Sequence, residues 1–184
     1  DLYGGAVNMG HGAIPFPAPF GGQGMDQPMD VVIPQSEVTL FAYVTYNYWP
    51  VQHKIVNFEV LFPNGTTYTK RTAFTDSDGI ATVSFRMPWP CIDPESLFGE
   101  WIVVATVEIA DEIAMDTMPF KYDWLVNIKS VTTDMSMYNH GDTIAITVEF
   151  DSYAMYTYEV LFTIALYDDL DVTVAFTTWT GTIG

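Results

Sequence analysis

The stretch from Ile55 to Phe85, IVNFEVLFPNGTTYTKRTAFTDSDGIATVSF, constrains the fold more than any other part of the chain. Two apolar runs flank Pro63-Asn64-Gly65, and a third follows Asp76-Ser77-Asp78-Gly79. Asn-Gly and Asp-Gly between such runs reverse a chain tightly, because these residues tolerate the positive φ of a two-residue primed turn. The stretch reads as a β-meander: three strands joined by two turns of this kind.

The flanking segments continue the pattern. Glu37–Tyr46 alternates, with Val38, Leu40, Ala42 and Val44 on one face. Asn47–Lys54 reads as a turn region around Trp49-Pro50-Val51, and Met87–Gly99 as a loop, since its prolines forbid regular structure. Glu100–Ala110 is a long strand that opposes Trp101, Val103, Ala105, Val107 and Ile109 to Ile102, Val104, Thr106 and Glu108. A short strand near Met118–Tyr122 follows. About seven strands, with turns every eight to twelve residues, predict an all-β fold with one complete β-sandwich over residues 31–123.

Residues 124–184 begin a second unit of the same kind. Strands are predicted over Trp124–Thr132, Thr143–Phe150, Tyr156–Leu166 and Asp171–Trp179, with a turn at Asn139-His140-Gly141-Asp142. The phrases Pro34-Gln35-Ser36-Glu37 plus VTLFAYV and Asn139-His140-Gly141-Asp142 plus TIAITVEF hint at a repeated module. The second unit has 61 residues. A full sandwich of this type takes ~100 residues and about seven strands. An incomplete sandwich exposes its core and an unpaired edge. The remainder lies elsewhere in a longer chain, or the two units merge their sheets, or a strand from another subunit completes the fold.

Residues 1–30 differ in kind. They hold seven Gly, four Pro and no basic residue. Alternating proline in Ile14-Pro15-Phe16-Pro17-Ala18-Pro19-Phe20 forbids a helix or a central strand and favours an extended path. An ordinary linker is polar, whereas this segment carries Ile14, Phe16 and Phe20. It is expected either as an unstructured terminus or as an extended arm that docks on a neighbouring subunit, as added strands do on sheet edges.

Charge narrows the partners. Six basic residues stand against 23 acidic ones, a formal net charge of −17. No Lys or Arg occurs before Lys54 or after Lys129. Binding to nucleic acid requires cations that neutralise phosphates, so nucleic acid is excluded as a partner. An anionic membrane surface is disfavoured on the same ground. No apolar run reaches the ~18 to 20 residues that span a bilayer. The chain starts at Asp1 without a visible signal sequence, as an exported chain does after its leader is removed. Its single cysteine, Cys91, permits no intrachain disulfide. Export is the expectation.

The first unit resembles the macroglobulin-type and bacterial immunoglobulin-like domains of large extracellular proteins. The resemblance rests on Pro34-x-x-Glu37-Val38-x-Leu40, on Trp49-Pro50-Val51 with Val56-x-Phe58-Glu59-Val60, and on Pro63-Asn64-Gly65-Thr66. It continues through Thr75-Asp76-x-Asp78-Gly79-Ile80-Ala81 and Phe98-Gly99-Glu100-Trp101. Two departures stand out. Similar domains carry Gly at the opening turn, where this chain has Gln35-Ser36, and after Pro-Val, where it has Gln52-His53. The resemblance implies an immunoglobulin-like fold and an extracellular place. It implies no activity, because function lives in sites and not in folds.

The candidate sites are few. Asp76 and Asp78 suggest the start of a calcium loop, but calcium takes six to eight oxygens and only two carboxylates are present. A turn whose Asp side chains bond nearby N–H groups is the simpler account. Asp111-Glu112 with Asp116, and Asp168-Asp169 with Asp171, read as solvated acidic loops, although calcium remains a candidate ligand for each. Asn64-Gly65-Thr66 is an N-glycosylation sequon at an exposed turn. His11, His53 and His140 lack metal-ligand spacing. There is no Gly-rich phosphate loop and no G-x-S-x-G. Tyr43, Tyr46, Tyr48 and Trp49, and later Tyr153, Tyr156 and Tyr158, are either packing residues or a sugar-stacking platform.

These features predict a non-enzymatic, extracellular or cell-surface structural protein. It assembles with copies of itself into a filament, tube or surface layer, and its arm clamps the next subunit. The alternatives are an adhesin or carbohydrate-binding module of a larger surface protein, and a spacer domain in such a protein.

Overall fold

Alternation of apolar and polar residues makes strands here, and the computed structural model is built almost wholly from them. It describes residues 5–11, 31–89, 92–139, 141–154 and 157–184. Twelve strands run in chain order among the described residues. They are β1 Gly5–His11, β2 Glu37–Tyr46, β3 Trp49–Pro50, β4 Ile55–Leu61, β5 Thr67–Phe74, β6 Ile80–Arg86 and β7 Gly99–Ile109. There follow β8 Glu112–Tyr122, β9 Val126–Thr133, β10 Ile146–Ser152, β11 Tyr158–Tyr167 and β12 Thr173–Ile183. A 3-10 turn, Pro94–Leu97, interrupts the loop before β7 and is capped by Asp93, whose carboxylate accepts from the Ser96 N–H.

The chain divides into two units, Asp1–Trp124 and Leu125–Gly184. The first is an immunoglobulin-like sandwich. One sheet runs β1-β2-β6, with the short β3 sharing the β6 edge of β2; the other runs β5-β4-β7-β8. All of these pairings are antiparallel. Alternation decides what each sheet buries. Val38, Leu40, Ala42 and Val44 of β2 join Val56, Phe58 and Val60 of β4 and Trp101, Val103, Ala105, Val107 and Ile109 of β7 in one core, all buried. Trp101 anchors this core. Its ring meets Phe62, Tyr68, Phe120 and Tyr122 at centroid distances of 4.7 to 6.0 Å. Its Nε1 donates to the Leu97 carbonyl at 2.9 Å, and the Tyr122 hydroxyl donates to the Pro88 carbonyl at 2.6 Å. The proline-rich loop is thus pinned to the core by two hydrogen bonds. Every buried side-chain N or O among the described residues has a hydrogen-bond partner, as the cost of leaving one unpaired demands.

Several expectations from sequence are corrected. Residues 5–11, read as part of an extended arm, form an edge strand of their own chain's sheet. Gly5–His11 pairs with β2 from Tyr46 to Leu40 and buries Val7 and Met9. The Met9 N–H donates to Asp116 Oδ2 of β8 at 2.7 Å. The arm residues Ile14, Phe16 and Phe20 lie outside the described residues. The two meander turns are three-residue loops and not two-residue primed turns. The Gly65 N–H donates to Phe62 O, and Phe62 N–H to Thr66 O; Gly79 N–H donates to Asp76 O, and Asp76 N–H to Ile80 O. In each, only the closing glycine has positive φ, 80° at Gly65 and 77° at Gly79. Pro63 disfavours a two-residue Asn64-Gly65 turn, because the residue before the turn would have to donate its N–H to the Thr66 carbonyl, and proline has none; the Phe62 N–H takes that bond instead. The last strand of the unit starts at Glu112 and not near Met118. A two-residue turn with Ala110 at φ 51° and Asp111 at φ 63° precedes it, so Asp111-Glu112 is a turn and strand start and not an open acidic loop.

The second unit contains two antiparallel ribbons, β9–β10 and β11–β12, each a two-stranded sheet. A bulge at Lys129 resets alternation in β9: Glu149 pairs with Ser130 and Phe150 with Ile128. Val126, Ile128 and Val131 consequently share a face with Val148 and Phe150.

Candidate functional site

The inner faces of the second unit's ribbons are apolar, and no third layer covers them among the described residues of that unit. Val160, Phe162 and Ile164 of β11 alternate in the same order, Val-x-Phe-x-aliphatic, as the buried Val56, Phe58 and Val60 of β4. Here the three residues are only half-buried. Phe162 stacks on Trp179 of β12 (5.1 Å, 14°) and tilts against Phe150 of β10 (5.5 Å). Gly181 makes this arrangement possible. A Cβ there would lie 3.1 Å from the Phe162 ring. Through these three rings the ribbons make an aromatic contact. Around them opens a cleft of about 550 Å³, lined by Ile128, Val131, Val148, Phe150, Val160 and Trp179 among others, none of its lining residues charged. Ile128 is 63% and Val131 58% exposed. Ile183 is the single buried hydrophobic residue of the described part of this unit.

Charge is kept off this face. Lys129 bonds Asp151 at 2.8 Å, which raises the Lys129 pKa. Asp134 ties the β9–β10 connection together. It accepts from the Tyr138 hydroxyl at 2.6 Å and from the Ala145 N–H at 3.1 Å, and these bonds lower its pKa. What the cleft offers chemically is burial for apolar side chains, beside β10 and β11 edges that carry no further strand among the described residues.

The sites read from sequence are not brought together by the fold. Asp76 Oδ1 accepts from the N–H groups of Asp78 and Ile80, both at 2.9 Å. Asp168 Oδ1 does the same for Leu170 and Val172 at 2.9 Å. Among the described residues no three His, Cys, Asp or Glu converge as a metal group. Asn64 is exposed, and its Oδ1 accepts from both the N–H (2.9 Å) and the hydroxyl (2.7 Å) of Thr66. Cys91, His140 and Tyr156 lie outside the described residues. Of the first aromatic group, Tyr48 and Trp49 are 74% and 77% exposed at the β2–β3 turn, while Tyr43 packs beside Phe41 and Ile80. Among the described residues no helix is long and apolar enough to cross a membrane.

The two departures from the resembled pattern have a backbone explanation. Gln35 and His53, where glycine is usual in the resembled domains, take positive φ of 62° and 60°.

No protein-family model and no curated protein matches the chain. Solved structures match at low similarity. Trypsin-activated alpha-2-macroglobulin from Escherichia coli aligns over 98% of this chain and 13% of its own, with 13% identity and a TM-score of 0.44. Beta-glucuronidase from Bifidobacterium dentium aligns over 78% of this chain and 19% of its own, with 10% identity and a TM-score of 0.39. The CARDB domain of the PF1109 protein from Pyrococcus furiosus aligns over 67% of this chain and 90% of its own, with 15% identity and a TM-score of 0.34. The chain thus spans less than a fifth of the first two proteins.

Proposed function

We propose that this chain is a non-enzymatic structural protein of the cell surface or extracellular space. It assembles with copies of itself into a filament, tube or layer. One observation carries the reading: a well-packed sandwich is joined to a unit whose apolar inner face has, among that unit's described residues, no covering layer. Exposed contiguous apolar surface marks a place of association. The fold supports the macroglobulin-type or bacterial immunoglobulin-like resemblance, in which such domains serve as structural, adhesive or spacer modules. Asn64 serves as a glycan acceptor in a host that glycosylates exported proteins, on an exposed turn.

The arm acts through Ile14, Phe16 and Phe20, which clamp a neighbouring subunit. Deleting residues 1–30 is a poor test, because it also removes β1 and uncovers the first core. Replacing Ile14, Phe16 and Phe20 together by Ser leaves β1 in place. The expected result is loss of assemblies in electron micrographs with an unchanged melting temperature. Assemblies of normal length would refute the clamp.

A second reading draws on Tyr48 and Trp49 at the exposed β2–β3 turn. Aromatic rings in water at a loop suit stacking on a sugar face, as in an adhesin or carbohydrate-binding module. Glycan binding that is lost in W49A would favour that reading over self-assembly.

A further inference from the structure

We infer that two copies of the second unit close on each other about a two-fold axis, forming one eight-stranded sandwich. The inference rests on the self-assembly reading and names its surface. The first unit supplies the template. There β1–β2 and β4–β5 are ribbons of the same kind as β9–β10 and β11–β12. The free edge of β2 takes β6, and the free edge of β4 takes β7, which carries β8. Across the layers, β1 lies against β8, β2 against β7, and β6 against β4 and β5. The second unit has the two ribbons but, among the described residues, no counterpart of β6, β7 or β8. Its β9–β10 ribbon therefore faces a vacancy two strands wide, and its β11–β12 ribbon faces another.

A second copy fills both vacancies at once. A two-fold axis normal to the sheets sets β11 beside the second copy's β11, in the place that β7 holds beside β4. The same axis sets the second copy's β10 beside β10, in the place that β6 holds beside β2. The sheets become β9-β10-β10-β9 over β12-β11-β11-β12. Such an axis makes each new junction antiparallel, as β2–β6 and β4–β7 are in the first unit. A closed two-fold interface uses one self-complementary patch twice, and this patch is uncharged on both sides. Ile128 and Val131 then pack on the second copy's β12, against the row of Ala175, Thr177 and Trp179. The outer face of β10 carries Glu149 and Asp151, and the axis draws the two acidic rows together. Salt should therefore tighten the dimer by screening like charges.

The test is sedimentation of the full chain over a ~20-fold concentration range, with Ile128→Lys, Val131→Lys and Thr147→Lys. In a single chain the first two side chains already stand largely in water, so the fold tolerates a lysine there. In the dimer each lysine is buried unpaired, twice by symmetry, and dissociation rises by at least about 100-fold. Far-UV circular dichroism stays unchanged. Thr147→Lys, on the outer face of β10, keeps the dimer, and raising salt strengthens it. A chain that is monomeric throughout overturns the inference and assigns the face to strands from another source. Larger assemblies insensitive to Ile128→Lys overturn it while leaving the proposed function standing. A lysine-sensitive dimer that never grows further upholds it and removes the filament.

Discussion

Gly65 and Gly79 close turns of the same class, with φ of 80° and 77°, yet their surroundings differ. A Cβ at Gly65 meets nothing within 4 Å. A Cβ at Gly79 would lie 2.7 Å from the Val44 carbonyl oxygen and 2.9 Å from Pro50 Cβ. The Val44 N–H also donates to the Gly79 carbonyl at 2.8 Å, so the second turn is seated on β2. Gly65→Ala should therefore cost only the left-handed backbone term, about 1 kcal/mol. Gly79→Ala adds overlap with a backbone atom and a proline ring, worth about 1–3 kcal/mol. It also strains the bond to Val44, worth about 1 kcal/mol. The total is about 3–5 kcal/mol. In thermal unfolding these correspond to losses of about 4 °C and about 12–20 °C. Conversely, Gln35→Gly and His53→Gly relieve positive φ and should each gain up to about 1 kcal/mol. Urea titration of the four variants beside the parent measures all of this. Equal losses at Gly65 and Gly79 would refute the seating of the second turn on β2.

Two further outcomes are expected. Burial raises the Tyr122 pKa, and the nearby Tyr68 adds to the rise. The unfolded chain ionises this group first, near pH ~10, so stability falls as pH climbs from there toward the folded value. Tyr122→Phe should flatten that alkaline fall and cost about 1–1.5 kcal/mol at neutral pH through loss of the bond to Pro88; parallel alkaline slopes would contradict the assignment. Asp76→Ala should cost about 1–2 kcal/mol, because it orphans the Asp78 and Ile80 N–H groups. Calcium or a chelator should leave the parent's melting temperature within about 1 °C, whereas a calcium-dependent rise lost in Asp76→Ala would make these carboxylates metal ligands.

Period-2 patterning made the first unit legible. Val38 to Val44, Val56 to Val60 and Trp101 to Ile109 each alternate over enough residues to fix which face is buried, and those faces are the core. What escaped the sequence lacked a composition signal. The Ala110-Asp111 turn reverses the chain without glycine, so half of β8 stayed hidden behind an apparent acidic loop. Gly5–His11 sits in a glycine-rich segment, and its strand character comes from pairing with β2, far along the chain. In β12, apolar residues fall on both faces, with Val174 and Phe176 opposite Trp179 in alternation, so no pattern marks an inner side. The shortage of strands in the second unit followed from its length. Which edges and layers stand vacant did not, because strand pairing is non-local.

Phe58 and Phe162 make the distinction between the units concrete. Both sit mid-strand in the same Val-x-Phe-x-aliphatic phrase, in a strand paired antiparallel with the one that follows it. Phe58 is 1% exposed because β7 and the β1-β2-β6 sheet cover it. Phe162 is half-buried, with Phe150 and Trp179 against it in ring contact. The side chains are equally apolar, so the difference is the layer that the described residues of the second unit lack and not the sequence of the strand. Covering half-exposed residues of this size contributes on the order of 1 kcal/mol each. A layer over Val131, Val148, Phe150, Val160, Phe162 and Trp179 therefore contributes several kcal/mol, enough to offset the entropy of bringing two chains together only if most of the face closes at once. A single docked strand covers one vacancy, and a two-fold copy covers both. That difference in area is the physical reason to expect a dimer of second units before any longer assembly.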